Sequence, residues 1–267
     1  MTEYSPCATH LHPHPLHFSR LPFAPRSSPL LLAPLSSSIP VRATPIIALD
    51  VPSLDAAKDL TDRLGPAADF YKVGLELFTA EGPRVVEWLR GEGKRVFLDL
   101  KLYDIPNTVR GAARSARAMG ASLLTVHGYG GAAMVDAAVE GAGSETGILV
   151  VTVLTSFDAP ALGVALGREV PEMGAEVSRL AQLADVAGAH GIVCSGQEVR
   201  AVRGSYPRLK PLVPGIRLAG GATHDQARIT TPEKAAADGA AYLVLGRAVT
   251  EAAEPAAVLT GIVESLR

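Results

Sequence analysis

The chain has 267 residues, with 25 Lys and Arg against 27 Asp and Glu, 48% hydrophobic side chains, 5% aromatic ones and two cysteines. These proportions exclude a basic nucleic-acid binder and a disulfide scaffold, and no apolar run reaches the roughly 20 residues needed to cross a bilayer. A single (β/α)8 barrel typically uses roughly 250 residues, so one large core can account for the chain.

Residues 1–42 hold 8 of the 20 prolines, 4 of the 7 histidines, and only Glu3, Arg20, Arg26 and Arg42 as charges. Such a segment cannot offset its ordering entropy by burial, and it reads as a disordered extension or a mis-assigned start, with Val41 as an alternative initiation codon. The Leu30–Leu35 run is too short and proline-broken for a secretion signal; the Ser-rich, acid-poor character suits a transit peptide, but three arginines are few. Three basic and one acidic side chain fall in this tail, so residues 43–267, the expected catalytic domain, carry a net charge of −4.

From Thr44 onward, β-branched runs alternate with Ala-rich amphipathic stretches. The expected strands are Pro45–Val51, Phe70–Phe78, Arg95–Leu102, Leu123–Gly128, Ile148–Thr155, Gly191–Ser195, Leu209–Gly215 and Tyr242–Val249. Helices are expected between them, for example from Ser53 as N-cap to Leu64 with Gly65 after its end, and over Asn107–Met119 closed by Gly120. Ser156–His190 is the one long spacing; Gly163, Gly167 and Pro171 make its first part an extended loop. Eight βα units with strands apolar on both faces imply an α/β fold, a single closed (β/α)8 TIM barrel, rather than a doubly wound sheet.

Chemistry in such a barrel belongs at the carboxyl ends of the strands. The first strand ends at Asp50, the second carries Lys72, and the third contains Asp99 and Lys101. Strand alternation puts Asp99 and Lys101 on one face, with Leu98 and Leu100 on the other. Burying an acid and an amine is costly unless each is paired, so their presence together requires partners or a purpose. Asp104 has the wrong parity for that face and belongs to the following loop, where it reads equally well as a carboxylate at a helix start. The last two strands end in Pro214-Gly215-Ile216-Arg217 and Gly246-Arg247, where barrels commonly bind phosphate. Gly246 permits close approach of the backbone, and Arg247 offers a forked cation.

The segment Asp99-Leu100-Lys101-Leu102-Tyr103-Asp104-Ile105-Pro106-Asn107-Thr108 resembles the signature of the orotidine 5′-phosphate decarboxylase family. Leu49-Asp50-Val51-Pro52, Lys72-Val73-Gly74, Val153-Leu154-Thr155-Ser156, Pro214-Gly215-Ile216-Arg217, Asp225-Gln226 and Gly246-Arg247 match its other blocks in order, from about residue 44 to the end. Leu218 departs from the pattern, standing where a proline often follows. The resemblance implies cofactor-independent conversion of orotidine 5′-monophosphate to uridine 5′-monophosphate and carbon dioxide, the last step of de novo pyrimidine nucleotide synthesis. Lys101 would protonate the carbon that loses carbon dioxide, with Lys72, Asp99 and Asp104 completing a charge network. Asp104 and Thr108 would come from the second subunit of a homodimer. Asp50 and Lys72 would bind ribose, Thr155 and Ser156 the pyrimidine, and Gln226, Arg217, Gly246 and Arg247 the phosphate. A cytoplasmic location is expected, with no metal, nucleic-acid or membrane partner.

Other motifs point to nothing more. His127-Gly128-Tyr129-Gly130-Gly131 lacks the full dinucleotide fingerprint and reads as a βα turn. Cys194 reads as a small buried hydrophobe, Cys7 lies in the tail, and His127, His190 and His224 have no zinc-site spacing. Two alternatives are a related sugar-phosphate decarboxylase or aldolase, which should carry metal-binding acids, and a non-catalytic phosphate-binding barrel.

Overall fold

Eight short strands, all parallel, close in sequence order into a barrel in which β1 also pairs with β8. The computed structural model describes residues 43–218, 228 and 230–267, so the extension expected over 1–42 lies outside the described residues. The strands are β1 (Thr44–Leu49), β2 (Phe70–Gly74), β3 (Arg95–Leu102), β4 (Leu123–His127), β5 (Gly147–Val151), β6 (Gly191–Val193), β7 (Lys210–Val213) and β8 (Tyr242–Leu245). The described helices are α1 (Leu54–Leu64), α2 (Leu75–Glu81), α3 (Arg84–Gly91), α4 (Pro106–Ala118), α5 (Ala132–Ala142), α6 (Ala159–Leu166), α7 (Met173–Val186), α8 (Val199–Ser205), α9 (Pro232–Ala237), α10 (Arg247–Thr250) and α11 (Pro255–Ser265).

Local chemistry sets several of these boundaries. Ser53 caps α1 by accepting from the Ala56 N–H at 3.3 Å, and Gly65 ends it at φ +52°. Pro106 opens α4, where its missing N–H costs no helix bond. Several expected strands run too long: β2 stops at Gly74, β5 at Val151 and β8 at Leu245. The residues after Gly74 and Gly246 turn at once into α2 and α10. A short apolar run does not distinguish a buried strand from the first turn of a buried helix. The expected loop after β5 also contains α6, capped by Asp158, which accepts from the Ala161 N–H at 2.9 Å, and closed by Gly167 at φ +64°. Gly163, read as a loop signal, lies inside that helix.

Alternation along each strand divides the core in two. On the outer face, Ile47, Leu49, Tyr71, Val73, Val96, Leu98, Leu124 and Val126 pack against the helices. Inside the barrel, Ile46, Ala48, Phe70, Phe97, Leu123, Leu149, Leu212 and Val244 form a separate cluster. Phe70 meets Tyr242 edge-on at 6.5 Å between centroids, and the Tyr242 hydroxyl lies 2.8 Å from His190 Nε2. The barrel is thus plugged with apolar and aromatic side chains, and polar groups enter its interior at the carboxyl ends of the strands. Outside it, α4 and α5 pack closely at Gly141, where a Cβ would collide with the Arg110 carbonyl.

Candidate active site

Above the apolar plug, four charged side chains, Asp50 just after β1 and the others from β2 and β3, form a chain of alternating sign. Lys72 Nζ donates to Asp50 Oδ1 at 2.7 Å and lies 3.7 Å from Asp99 Oδ2, while Lys101 Nζ pairs with Asp99 Oδ1 at 2.9 Å. The register explains the order, since Ala48 pairs with Lys72 and Gly74 with Asp99. Lys72 and Asp99 are largely buried, and each charge is compensated by a neighbour of opposite sign. Gly74 belongs to this arrangement: a Cβ there would stand 2.9 Å from Lys72 Nζ and 3.3 Å from Asp50 Oδ1.

Asp99 and Lys101 do share a face, but not on a regular strand. The β3–β4 register jumps, with Leu98 opposite Leu124 and Leu102 opposite Val126, so β3 carries two extra residues across this interval. Two extra residues preserve parity while lifting Asp99, Leu100 and Lys101 out of the ladder with β4. Lys101 takes φ +47°, the one positive φ of a non-glycine residue among the described residues. A left-handed backbone costs a side-chain-bearing residue about 1 kcal/mol, and such a conformation persists where its surroundings fix it. The freed Lys101 N–H donates to Thr125 Oγ1 at 2.9 Å, and the Thr125 hydroxyl donates to Asp99 Oδ1 at 3.0 Å.

The charged chain forms one wall of a cavity of about 310 Å3. Thr155 and Ser156 come from the segment after β5, Arg217 from that after β7, and Gly246 and Arg247 from the end of β8. Phe97, Val151, Val193, Leu212 and Val244 supply an apolar floor. The site therefore combines a partly buried ammonium–carboxylate array, an apolar bed and two guanidinium groups, an arrangement suited to an anionic ligand with an apolar or aromatic part. Nine sequence-predicted residues thus meet: Asp50, Lys72, Asp99, Lys101, Thr155, Ser156, Arg217, Gly246 and Arg247. Asp104 and Thr108 do not line this cavity; the whole stretch Tyr103–Thr108 is exposed, and Asp104 Oδ1 accepts from the Ile105 N–H at 2.6 Å. Gln226 lies outside the described residues.

Sequence reasoning passed over two groups that support the site. Thr125 is one. The other is a buried ion pair in which Arg228 Nη1 donates to Glu198 Oε1 at 2.6 Å, while Arg228 Nη2 lies 3.3 Å from the carbonyls of Val153 and Leu154. Glu198 Oε2 also accepts from the N–H and hydroxyl of Ser195, at 2.9 and 2.6 Å. The Ser195-Gly196-Gln197-Glu198 spacing is a legible capping-box signal, but nothing local in the sequence connects Glu198 to Arg228. His127 lies beyond Lys101 between the rings of Tyr103 and Tyr129, at 5.9 and 5.7 Å. Burial lowers its imidazole pKa, and the charge of Lys101 adds to that effect. Cys194 is fully buried, and no group of three His, Cys, Asp or Glu side chains among the described residues is placed to hold a metal ion.

The family described as orotidine 5′-phosphate decarboxylase / HUMPS matches residues 44–262. A protein of Anaeromyxobacter dehalogenans (strain 2CP-1 / ATCC BAA-258) named orotidine 5′-phosphate decarboxylase is 54% identical over 220 residues, covering 82% of this chain and 96% of its own. One of the same name from Moorella thermoacetica is 46% identical over 228 residues, covering 81% and 89%. Among solved structures, orotidine 5′-phosphate decarboxylase from Lactobacillus acidophilus superimposes with a TM-score of 0.76 at 34% identity, covering 85% of this chain and 99% of that one.

Proposed function

The chain belongs to the orotidine 5′-phosphate decarboxylase / HUMPS family, and from that premise we propose how its cavity works. The protein is a carboxy-lyase that converts orotidine 5′-monophosphate to uridine 5′-monophosphate and carbon dioxide. One observation supports the residue assignments: the Asp50–Lys72–Asp99–Lys101 chain lies in the same cavity as Arg217 and Arg247.

In this reading the two arginines and Gly246 take the phosphate, Asp50 and Lys72 the ribose hydroxyls, and Thr155 and Ser156 the pyrimidine edge over the apolar floor. Gln226 joins the phosphate contacts. The bond between the ring carbon and its carboxyl carbon breaks, and the electron pair stays on the ring as carbon dioxide leaves. That carbanion has little resonance relief, so a fixed cation beside it lowers the barrier. Lys101 Nζ supplies the cation and then donates a proton to the carbon, leaving a neutral amine that solvent reprotonates. Asp99 holds Lys101 in place while Lys72 neutralises the other oxygen of Asp99, and no cofactor enters the chemistry.

Asp104 and Thr108 act from a second copy of the chain. Both belong to an exposed stretch that also carries Tyr103 and Ile105, 66% and 68% exposed, which gives a partner an apolar surface to cover. The partner subunit's Asp104 then adds a fifth charge to the network, and the partner subunit's Thr108 contacts the nucleotide. Among the described residues no helix is long and apolar enough to cross a membrane, and a cytoplasmic location goes with this biosynthetic reaction.

The test is to incubate the full chain with orotidine 5′-monophosphate in excess chelator and follow the orotate absorbance. The expected result is loss of that absorbance with release of one uridine 5′-monophosphate per substrate. Turnover that needs an added divalent cation rejects the reading.

A further inference from the structure

We propose that Thr125 is a positioning residue for catalysis, its single hydroxyl holding both the backbone of Lys101 and the carboxylate of Asp99 in their working geometry; this rests on the assignment of Lys101 as proton donor. Three observations converge on that hydroxyl. It accepts from the Lys101 N–H at 2.9 Å, the group that the β3 irregularity removes from the strand ladder. It donates to Asp99 Oδ1 at 3.0 Å, the same oxygen that pairs with Lys101 Nζ at 2.9 Å. And it secures the one described non-glycine residue with a positive φ, at +47°.

The three contacts form a small closed loop: Thr125 to the Lys101 backbone, along the Lys101 side chain to Asp99, and back to Thr125. A lysine side chain has four rotatable bonds, so fixing both its backbone and the carboxylate facing its ammonium removes most of the freedom that would let the cation drift from the reacting carbon. Thr125 is fully buried on β4 beneath the pair and does not line the cavity, so it acts through its neighbours rather than on the substrate. With valine in its place the volume is kept, but the Lys101 N–H loses its acceptor and Asp99 Oδ1 one of its donors. The left-handed turn then loses the hydrogen bond at its own N–H and is held less firmly against relaxing.

The experiment compares the parent chain with Thr125→Val, Thr125→Ser and Lys101→Ala, reading kcat on orotidine 5′-monophosphate and affinity for uridine 5′-monophosphate. Thr125→Val is expected to lose about 30-fold or more in kcat while its nucleotide affinity stays within about threefold, because misplacing a reacting group costs rate rather than phosphate binding. Thr125→Ser restores the hydroxyl and is expected to recover kcat to within about threefold of the parent. A merely structural role predicts parallel loss of rate and affinity in the valine variant, and that result overturns the proposal. So does a valine variant as fast as the parent. If the valine variant fails to fold, Thr125→Cys is compared with Thr125→Ser on the same two measurements, and equal kcat values overturn the proposal. An inactive Lys101→Ala beside an unimpaired Thr125→Val rejects the positioning role alone; full turnover by Lys101→Ala rejects the proton-donor assignment on which it rests.

Discussion

At the scale of single residues, the site depends on where one ammonium is held. Lys101→Ala is expected to lower kcat by at least about 10^4-fold, since it removes both the cation beside the carbanion and the proton that quenches it. Its affinity for uridine 5′-monophosphate should survive, and calorimetric titration of the nucleotide separates the two effects. Arg247→Ala is expected to do something different, weakening nucleotide binding and lowering kcat/KM by about 100-fold through loss of a charge-assisted phosphate contact. Gly74→Ala tests the packing of the array: its Cβ would press to within 2.9 Å of Lys72 Nζ, so lower kcat/KM in a chain that remains folded is expected. Undiminished kcat/KM in the alanine variant would mean that the array has room to spare. That Asp99 and Lys101 meet on one face was readable from the sequence, because they alternate on a strand whose leucines point the other way. Thr125 was not, because one hydroxyl in Leu-Leu-Thr-Val-His looks like any strand threonine until the neighbouring strand bulges toward it.

At the scale of elements, the segments after β5, β6 and β7 are tied together by a buried charge pair. Arg228 reaches Glu198 before α8 and the carbonyls of Val153 and Leu154, immediately ahead of Thr155 and Ser156. Removing one member leaves the other charged and buried, so Glu198→Ala is expected to cost about 3–5 kcal/mol of stability, measured by urea unfolding. A loss below about 1 kcal/mol would show that water replaces the pair. The two partners are thirty residues apart, so no periodicity announces their contact. The boundaries were less legible for a related reason: Phe70–Phe78 and Tyr242–Val249 each hide a strand-to-helix junction inside one apolar run. There Gly74 and Gly246 mark the actual ends. The Ala159–Leu166 helix escaped notice because Gly163 reads as a breaker, while Asp158 carried the signal that counted.

At the scale of the whole molecule, two further expectations can be measured. If the partner subunit's Asp104 completes each site, a Lys101→Ala chain and an Asp104→Ala chain are each nearly inactive alone, yet mixing equal amounts after dissociation should restore about a quarter of parental activity, because half the dimers then contain one intact site of two. No recovery on mixing would place Asp104 in its own subunit's chemistry, and an Asp104→Ala chain active alone would remove it from the chemistry. The second expectation concerns acid. Burial, and then the charge of Lys210, push the His190 imidazole down to about 4 from an ordinary 6.5. The unfolded chain therefore binds a proton that the folded chain refuses, and stability declines as pH falls from 6.5 toward about 4. His127, also lowered by burial and then by the charge of Lys101, acts in the same direction below 6.5. Glu176 is held at about 2 instead of 4.5, mainly by its hydrogen bond from Arg179, so its contribution is intact above 4.5 and is lost only as pH falls from there toward 2. Thermal midpoints between pH 7 and 4.5 isolate the histidines, and His190→Gln should flatten that slope. The barrel itself was legible throughout, since eight doubly apolar strands leave few other ways to bury both faces.

The plug of Phe70, Phe97, Leu123 and Leu149 has a consequence for how the enzyme recharges. In the proposed mechanism the spent amine of Lys101 stands on the cavity side of that apolar plug, where its side chain is about one-third exposed. The hydrogen given to each product would then be replenished from the mouth of the barrel rather than through its floor, so the side that admits the substrate also resets the donor.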